Sequence, residues 1–128
     1  MYLQIGAVST TGVSPIVRVP SDEPWMLKRA LDAGAHAVMV PQCDTAEQAE
    51  AVVRACKYNT SDKWPEGRRG AGAMFAPAAF NQSGRQYLEG ANDNVMVCVQ
   101  IESRLAVDNV EKIAAVEGVG EFAFLPVV

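Results

Sequence analysis

Gln100 and Glu102 stand at the end of an apolar, β-branched run, Val95-Met96-Val97-Cys98-Val99, with Ile101 between them. On a strand, residues two apart project from the same face, so this amide and this carboxylate point together. A carboxylate sharing a face with apolar neighbours needs a partner, because an unpaired buried charge is strongly destabilising. Arg18 breaks a second apolar run, "PIVRVP", in the same way. Two arrangements satisfy these residues. In one, Arg18 and Glu102 form an inward ion pair with a structural role. In the other, Arg18 grips a substrate carboxylate in bidentate fashion beside a metal-binding Glu102. A hard divalent cation prefers carboxylate oxygen and commonly takes only one or two protein carboxylates.

The elements that must position these groups alternate along the chain. Residues 15–20 read as a strand, and "SDEPWMLKRALDAGA" (21–35) reads as a helix with Ser21 or Asp22 as cap, Pro24 in its first turn and Gly34 at its end. "HAVMVP" (36–41) is a second strand. "DTAEQAEAVVRACKY" (44–58) is a helix capped by Asp44 or Thr45, with acids in its first turn and Arg54 and Lys57 in its last. A polar, glycine-rich loop follows, then one or two short helices that include residues 84–89. The strand 95–101, a helix over 103–116 and a final apolar run, "EFAFLPVV", complete the order.

Strand–helix alternation implies parallel strands joined by right-handed crossovers. The strand runs are apolar enough to be covered by helices on both faces. Four such strands make either an open doubly wound sheet or part of a (β/α)₈ barrel. In both, function sits at the C-terminal ends of the strands, where Arg18, Gln100 and Glu102 fall.

Composition narrows the classes of function. With 128 residues, 49% hydrophobic and 20% charged, the chain is expected to form a single globular domain over 1–128. A net charge of −4 without a basic run argues against nucleic acid as a partner. No apolar stretch approaches the length of a membrane helix, and the first residues lack a signal-peptide pattern. Cys43, Cys56 and Cys98 are odd in number and widely spaced, which fits packed, reduced thiols and a cytoplasmic protein. His36, the single histidine, begins a strand rather than ending one, so it is expected away from the chemistry. "GRRGAG" (67–72) lacks the Lys-Ser/Thr ending of a phosphate loop and is expected instead to carry Arg68 or Arg69 towards the strand ends.

The blocks "SPIVRVP", "LDAGAHAVMVP", "TAEQAEAVVRACKY", "PEGRRGAG" and "VQIES" occur in an order that resembles the HpcH/HpaI aldolase and citrate lyase family, over about Gly12 to Pro126. The resemblance is nearest to its metal-dependent (class II) pyruvate aldolases of the 4-hydroxy-2-oxo-acid type. It implies an α/β fold, a partial (β/α)₈ TIM barrel holding about the third to sixth strands of a parallel sheet. It implies that Arg18 binds the pyruvate carboxylate and stabilises the enolate, that Gln100 lines the pyruvate site, and that Glu102 is one of two carboxylate ligands to Mg²⁺, Mn²⁺ or Co²⁺. Arg69 matches the arginine of a Gly-x-Arg-Gly loop near the active site.

The implied function is a carbon–carbon lyase, or aldehyde-lyase: retro-aldol cleavage of a 4-hydroxy-2-oxo acid to pyruvate and an aldehyde, by a homo-oligomer. The family's general-base histidine lies in a segment before this chain's first strand. Its second metal-ligating aspartate falls, by gapless alignment, at Val128, and Leu125 replaces a glycine. These departures imply a truncated chain, inactive alone, whose alternative role is that of a non-catalytic fragment or interaction module. A citryl- or malyl-CoA lyase would need a basic nucleotide-binding surface, and the sequence offers none beyond "GRRGAG".

Overall fold

Each strand is a short, β-branched run preceded by the end of a helix or turn, and each is followed by a loop leading into the next helix. The computed structural model describes residues 1–73 and 75–124. The elements are α1 (Tyr2–Ser9), β1 (Ile16–Arg18), α2 (Pro24–Asp32), β2 (Ala37–Val40), α3 (Ala46–Cys56), α4 (Ala76–Ala79), α5 (Gly84–Asn94), β3 (Met96–Ile101), α6 (Arg104–Asp108), α7 (Val110–Ala114) and β4 (Val119–Phe124). Leu125 and Val128, the positions of the two C-terminal departures, lie outside the described residues.

The four strands form one parallel sheet in the order β1-β2-β3-β4. Sequential order decides between the two architectures. A doubly wound sheet reverses direction at a switch point, whereas a barrel adds each new strand beside the last. The chain is four strands of a (β/α)₈ arrangement, with α/β topology throughout.

The helices cover one face. Leu27, Ala30 and Leu31 of α2 and Val52, Val53 and Cys56 of α3 pack on Val19, Val38, Val40 and Val97. Ala49, Ala106 and Ile113 from α3, α6 and α7 pack on Val99 and Ile101. Full burial of an aliphatic side chain such as Leu27 or Leu31 contributes about 1.5–3 kcal/mol. The alternate residues, Arg18, Met39, Cys98 and Glu121, are register partners across all four strands and so share the opposite face. Coverage of both faces is therefore corrected: among the described residues, packed helices are found on the outer face, and the inner face carries the polar groups.

Local chemistry sets the helix boundaries. Thr45 caps α3 with a reciprocal capping box: its hydroxyl accepts from the Gln48 N–H, and the Gln48 side chain accepts from the Thr45 N–H. Ser83 and Gln86 do the same for α5. At α2, by contrast, Glu23 is the N-cap rather than Ser21 or Asp22, and no side chain caps it. Gly34 ends α2 at a φ of 102°, and a Cβ there would lie 2.6 Å from the Cβ of Ala79, so both backbone and packing require glycine. The helix expected over 103–116 is split at Asn109 (φ −102°, ψ 4°), whose side chain donates to the Asp44 carbonyl at 3.0 Å. The N-terminal helix α1 was not anticipated; its sequence has no capping side chain and no clear apolar stripe.

Two predictions follow from these contacts. Thr45→Ala should cost about 1 kcal/mol in urea denaturation, while Glu23→Ala should change stability by no more than a few tenths. All three cysteines are free and buried. Burial pushes the Cys56 thiol from an ordinary 9.0 up to about 12, and burial followed by Asp44 and Asp22 pushes Cys43 up to about 11. A folded-state value above the unfolded one means that the folded chain holds the proton more tightly. The stability these thiols contribute is complete below about pH 9 and is lost as pH rises through 11 to 12. Iodoacetamide at pH 8 should label them only after denaturation, and rapid labelling of the native chain would contradict their burial.

Candidate active site

The three side chains singled out by type gather at the C-terminal rim of the sheet. Arg18, the last residue of β1, and Gln100, near the end of β3, reach across the intervening β2. The Arg18 Nε–H donates to Gln100 Oε1 at 3.0 Å. Gln100 is 3% exposed, whereas Arg18 is exposed. The guanidinium is thus held from its inner edge, and its two terminal nitrogens make no hydrogen bond to any described group. That is the geometry in which a guanidinium can offer a fork to a planar carboxylate.

Glu102 follows β3 directly. Its Oε2 accepts from the Gln42 N–H at 2.8 Å. Gln42 sits in the loop after β2 at a φ of 54°, an uncommon conformation for a residue other than glycine. The same loop is tied to β3 again by the Cys43 N–H, which donates to the Gln100 carbonyl at 3.2 Å. Arg18 and Glu102 are not among the ion pairs of the described residues. The structural alternative of an inward Arg18–Glu102 pair is not what the chain forms; the arginine's partner is an uncharged amide.

The rim also holds residues that the sequence presented only as helix caps. Asp44 accepts from the Ser103 hydroxyl through Oδ1, and its carbonyl accepts from Asn109, so it joins the β2–α3 loop to α6. Burial first, and then the charges of Asp44 and Asp22, raise the thiol of Cys43 in the same loop. Their signal in sequence was position: each follows a strand within a few residues, where a barrel carries its chemistry.

As a test of metal fit, Glu102 supplies one carboxylate, and its Oε1 has no protein partner among the described residues. Among those residues no group of three His, Cys, Asp or Glu side chains could enclose an ion. An ion bound at Glu102 would have to keep waters or take oxygens from a substrate to complete its shell. The described residues do not form an all-protein cage.

His36 and Arg69 lie elsewhere. His36 Nε2 donates to the Ala79 carbonyl at 3.0 Å, which leaves Nδ1 to accept from the Ser14 hydroxyl at 3.0 Å, and the ring lies 4.0 Å from that of Phe80. Both nitrogens are used in fixing the start of β2. Arg69 was expected near the strand C-terminal ends, and that placement is corrected. Its side chain is fully buried, donates to Asp32 Oδ1 at 3.1 Å and to the Tyr87 hydroxyl at 2.8 Å, and stacks 4.5 Å from the Tyr58 ring centroid. Its backbone N–H donates to the Lys57 carbonyl. Asp32 and Lys57 stand at the C-terminal ends of α2 and α3, which lie at the far end of the sheet from Glu102. A loop arginine with a carboxylate and two tyrosines within reach is drawn into burial there, a long-range arrangement that no local spacing announces.

Comparison with known proteins agrees with this architecture. The chain is 43% identical over 116 residues to a hydroxypyruvate/pyruvate aldolase of Agrobacterium fabrum, covering 91% of this chain and 42% of the relative. It is 45% identical over 113 residues to a 2-dehydro-3,6-dideoxy-6-sulfogluconate aldolase of Pseudomonas putida, covering 88% and 42%. The crystal structure of an HpcH/HpaI aldolase/citrate lyase family protein from Burkholderia cenocepacia superposes with a TM-score of 0.84 at 39% identity, over 96% of this chain and 48% of that one. The chain therefore spans less than half the length of the relatives it matches. The HpcH/HpaI aldolase/citrate lyase family model matches residues 1–126, and the chain belongs to that family.

Proposed function

We propose that this chain carries the 2-oxo-acid half of a class II, metal-dependent aldehyde-lyase that cleaves a 4-hydroxy-2-oxo acid to pyruvate and an aldehyde. The observation that carries the proposal is the Arg18–Gln100 hydrogen bond, which fixes a guanidinium with its terminal nitrogens free at the rim that also carries Glu102. Arg18 would bind the substrate carboxylate end-on, and Gln100 would hold Arg18 while presenting its own amide nitrogen to the 2-oxo acid. Glu102 would hold Mg²⁺, Mn²⁺ or Co²⁺, with Gln42 fixing its orientation. Such an ion supplies, when bound, Lewis-acid polarisation of the 2-oxo group.

In cleavage, the C4 hydroxyl loses its proton, the C3–C4 bond breaks, and its electron pair passes into the enolate of pyruvate as the aldehyde departs. Protonation at C3 then gives pyruvate. Arg18 opposes the negative charge gathering on that fragment, an interaction stronger in the transition state than in the ground state. The base that takes the hydroxyl proton is assigned to none of this chain's residues. Arg69 enters as an anchor of the loop that carries it, acting through Asp32 and Tyr87. The protein is proposed to be a cytoplasmic homo-oligomer with a single partial barrel domain over 1–128, acting on small molecules.

One observation favours a second reading, a non-catalytic interaction module: Arg18 and Ile16 of β1 are exposed, as on a surface that meets another body. Calorimetric titration of the chain with Mn²⁺ and pyruvate separates the two. Micromolar binding that is lost in Glu102→Gln supports the lyase site, and no binding supports the module. In the full protein in which activity resides, Arg18→Ala should lower pyruvate release about 10²–10³-fold. Arg18→Lys should not restore it, since an ammonium lacks the fork. Turnover near that of the wild type in either variant would overturn the assignment.

A further inference from the structure

We infer that Asp44 is the positioning residue of Glu102. Its carboxylate, bonded to Ser103, keeps the Gln42 N–H aimed at the Glu102 side chain and so sets how firmly that side chain can hold a cation. The part of this inference that concerns a cation rests on the lyase reading above; the clamp itself does not.

Three consecutive residues after β2 reach across to the segment that ends β3. The Gln42 N–H donates to Glu102 Oε2 at 2.8 Å, and the Cys43 N–H donates to the Gln100 carbonyl at 3.2 Å. Asp44 makes two further links: its Oδ1 accepts from the Ser103 hydroxyl, and its carbonyl accepts from Asn109 Nδ2 at 3.0 Å. Its own N–H donates to Gln48 Oε1 at 2.8 Å, which fastens the same residue to α3. Among the described residues, Asp44 has the only side chain of the three that bonds to the segment 100–109.

Ser103 transmits this hold to its neighbour. Its backbone is extended (φ −134°, ψ 164°), and its Oγ accepts from the Ala106 N–H at 3.0 Å as the cap of α6. A hydroxyl carries one proton, and here that proton goes to Asp44. Glu102 therefore stands between two fixed residues, Ile101 in the β3–β4 ladder and Ser103 at the cap. Only its side-chain torsions are left, and the Gln42 N–H restrains those.

Gln42 needs the support. Its φ of 54° is a conformation that a residue other than glycine keeps only where its surroundings over-determine it. The residue is exposed, so packing does not hold it there. The ties made one and two residues further on, by Cys43 and Asp44, hold the turn instead. Without the Asp44 carboxylate the loop is free to relax toward negative φ, which turns the Gln42 N–H away from Glu102. Removing a partner that orients a metal-binding side chain without touching the ion typically costs about 10–100-fold in affinity.

The test reads two quantities in the 128-residue chain: hydrogen exchange of the Gln42 amide by NMR without metal, and Mn²⁺ affinity by electron paramagnetic resonance. Asp44→Ala should speed Gln42 exchange about tenfold and weaken Mn²⁺ binding about 10–100-fold. Asp44→Asn keeps an oxygen for the Ser103 hydroxyl while removing the charge, and should match the wild type in both. Ser83→Ala removes the cap of α5, lowering stability without touching this loop, and should move neither readout. Asn109→Ala cuts the other tie to Asp44, should shift both readouts in the direction of Asp44→Ala, and keeps the test decisive if that variant does not fold. Readouts unmoved by Asp44→Ala and Asn109→Ala, faster exchange with Mn²⁺ affinity unchanged, or an Asn variant that behaves as the Ala variant would each overturn the proposal. A wild type that binds no Mn²⁺ would overturn the lyase reading instead, and the Gln42 exchange alone would then decide the clamp.

Discussion

The hydrogen bond from the Arg18 Nε–H to Gln100 Oε1 is the constraint on which the rim depends. It joins β1 to β3, strands that are not neighbours, by passing over β2. That is possible because Arg18, Met39 and Cys98 lie in one lateral row, with Gln100 two residues beyond Cys98 on the same face. A glutamine suits this role better than a carboxylate. It satisfies one N–H of the guanidinium without neutralising it, so the positive charge remains available to a ligand. Had Glu102 been the partner, each charge would have cancelled the other, and neither a carboxylate nor a cation would have found a host.

Glu102 is engaged instead by the loop after β2. Gln42 adopts a left-handed conformation and turns its N–H to the carboxylate, while the next N–H, that of Cys43, is committed to the Gln100 carbonyl. Asp44, Ser103 and Asn109 then lock this loop to the start of α6 and the break before α7. The two carboxylates nearest the end of β3 thus have different duties. Asp44 is consumed in holding loops together, and Glu102 retains an oxygen without a described partner. A backbone-donated bond to one oxygen fixes the direction of the other, the orientation that the proposed metal role asks for.

Much of the frame was legible from residue patterns, because the elements that form it are governed by local rules. β-branched runs became strands, and Thr45 with Gln48 made the expected start of α3. The split at Asn109 escaped because its cause is a bond to the Asp44 carbonyl, 65 residues away in sequence. Helix α1 escaped because its eight residues carry neither a cap nor an amphipathic stripe. At the site, Arg18, Gln100 and Glu102 were readable as polar interruptions of apolar strands, but which of them would bond was not. Gln42 was invisible, since glutamine gives no sign of a positive φ. Arg69 was misplaced for a related reason: a glycine-flanked arginine looks like a loop residue, and only the tertiary meeting of Asp32, Tyr58 and Tyr87 makes it a buried one.

We propose that a divalent ion and a 2-oxo acid share the space between a forked guanidinium and one anchored carboxylate, and crystals soaked with Mn²⁺ and pyruvate test this directly. An anomalous manganese peak should lie about 2.1 Å from a Glu102 oxygen. The pyruvate carboxylate should rest on the terminal nitrogens of Arg18, with the Arg18–Gln100 bond intact. A manganese site remote from Glu102, or a pyruvate carboxylate that ignores Arg18 at saturating concentration, would contradict the assignment of this rim.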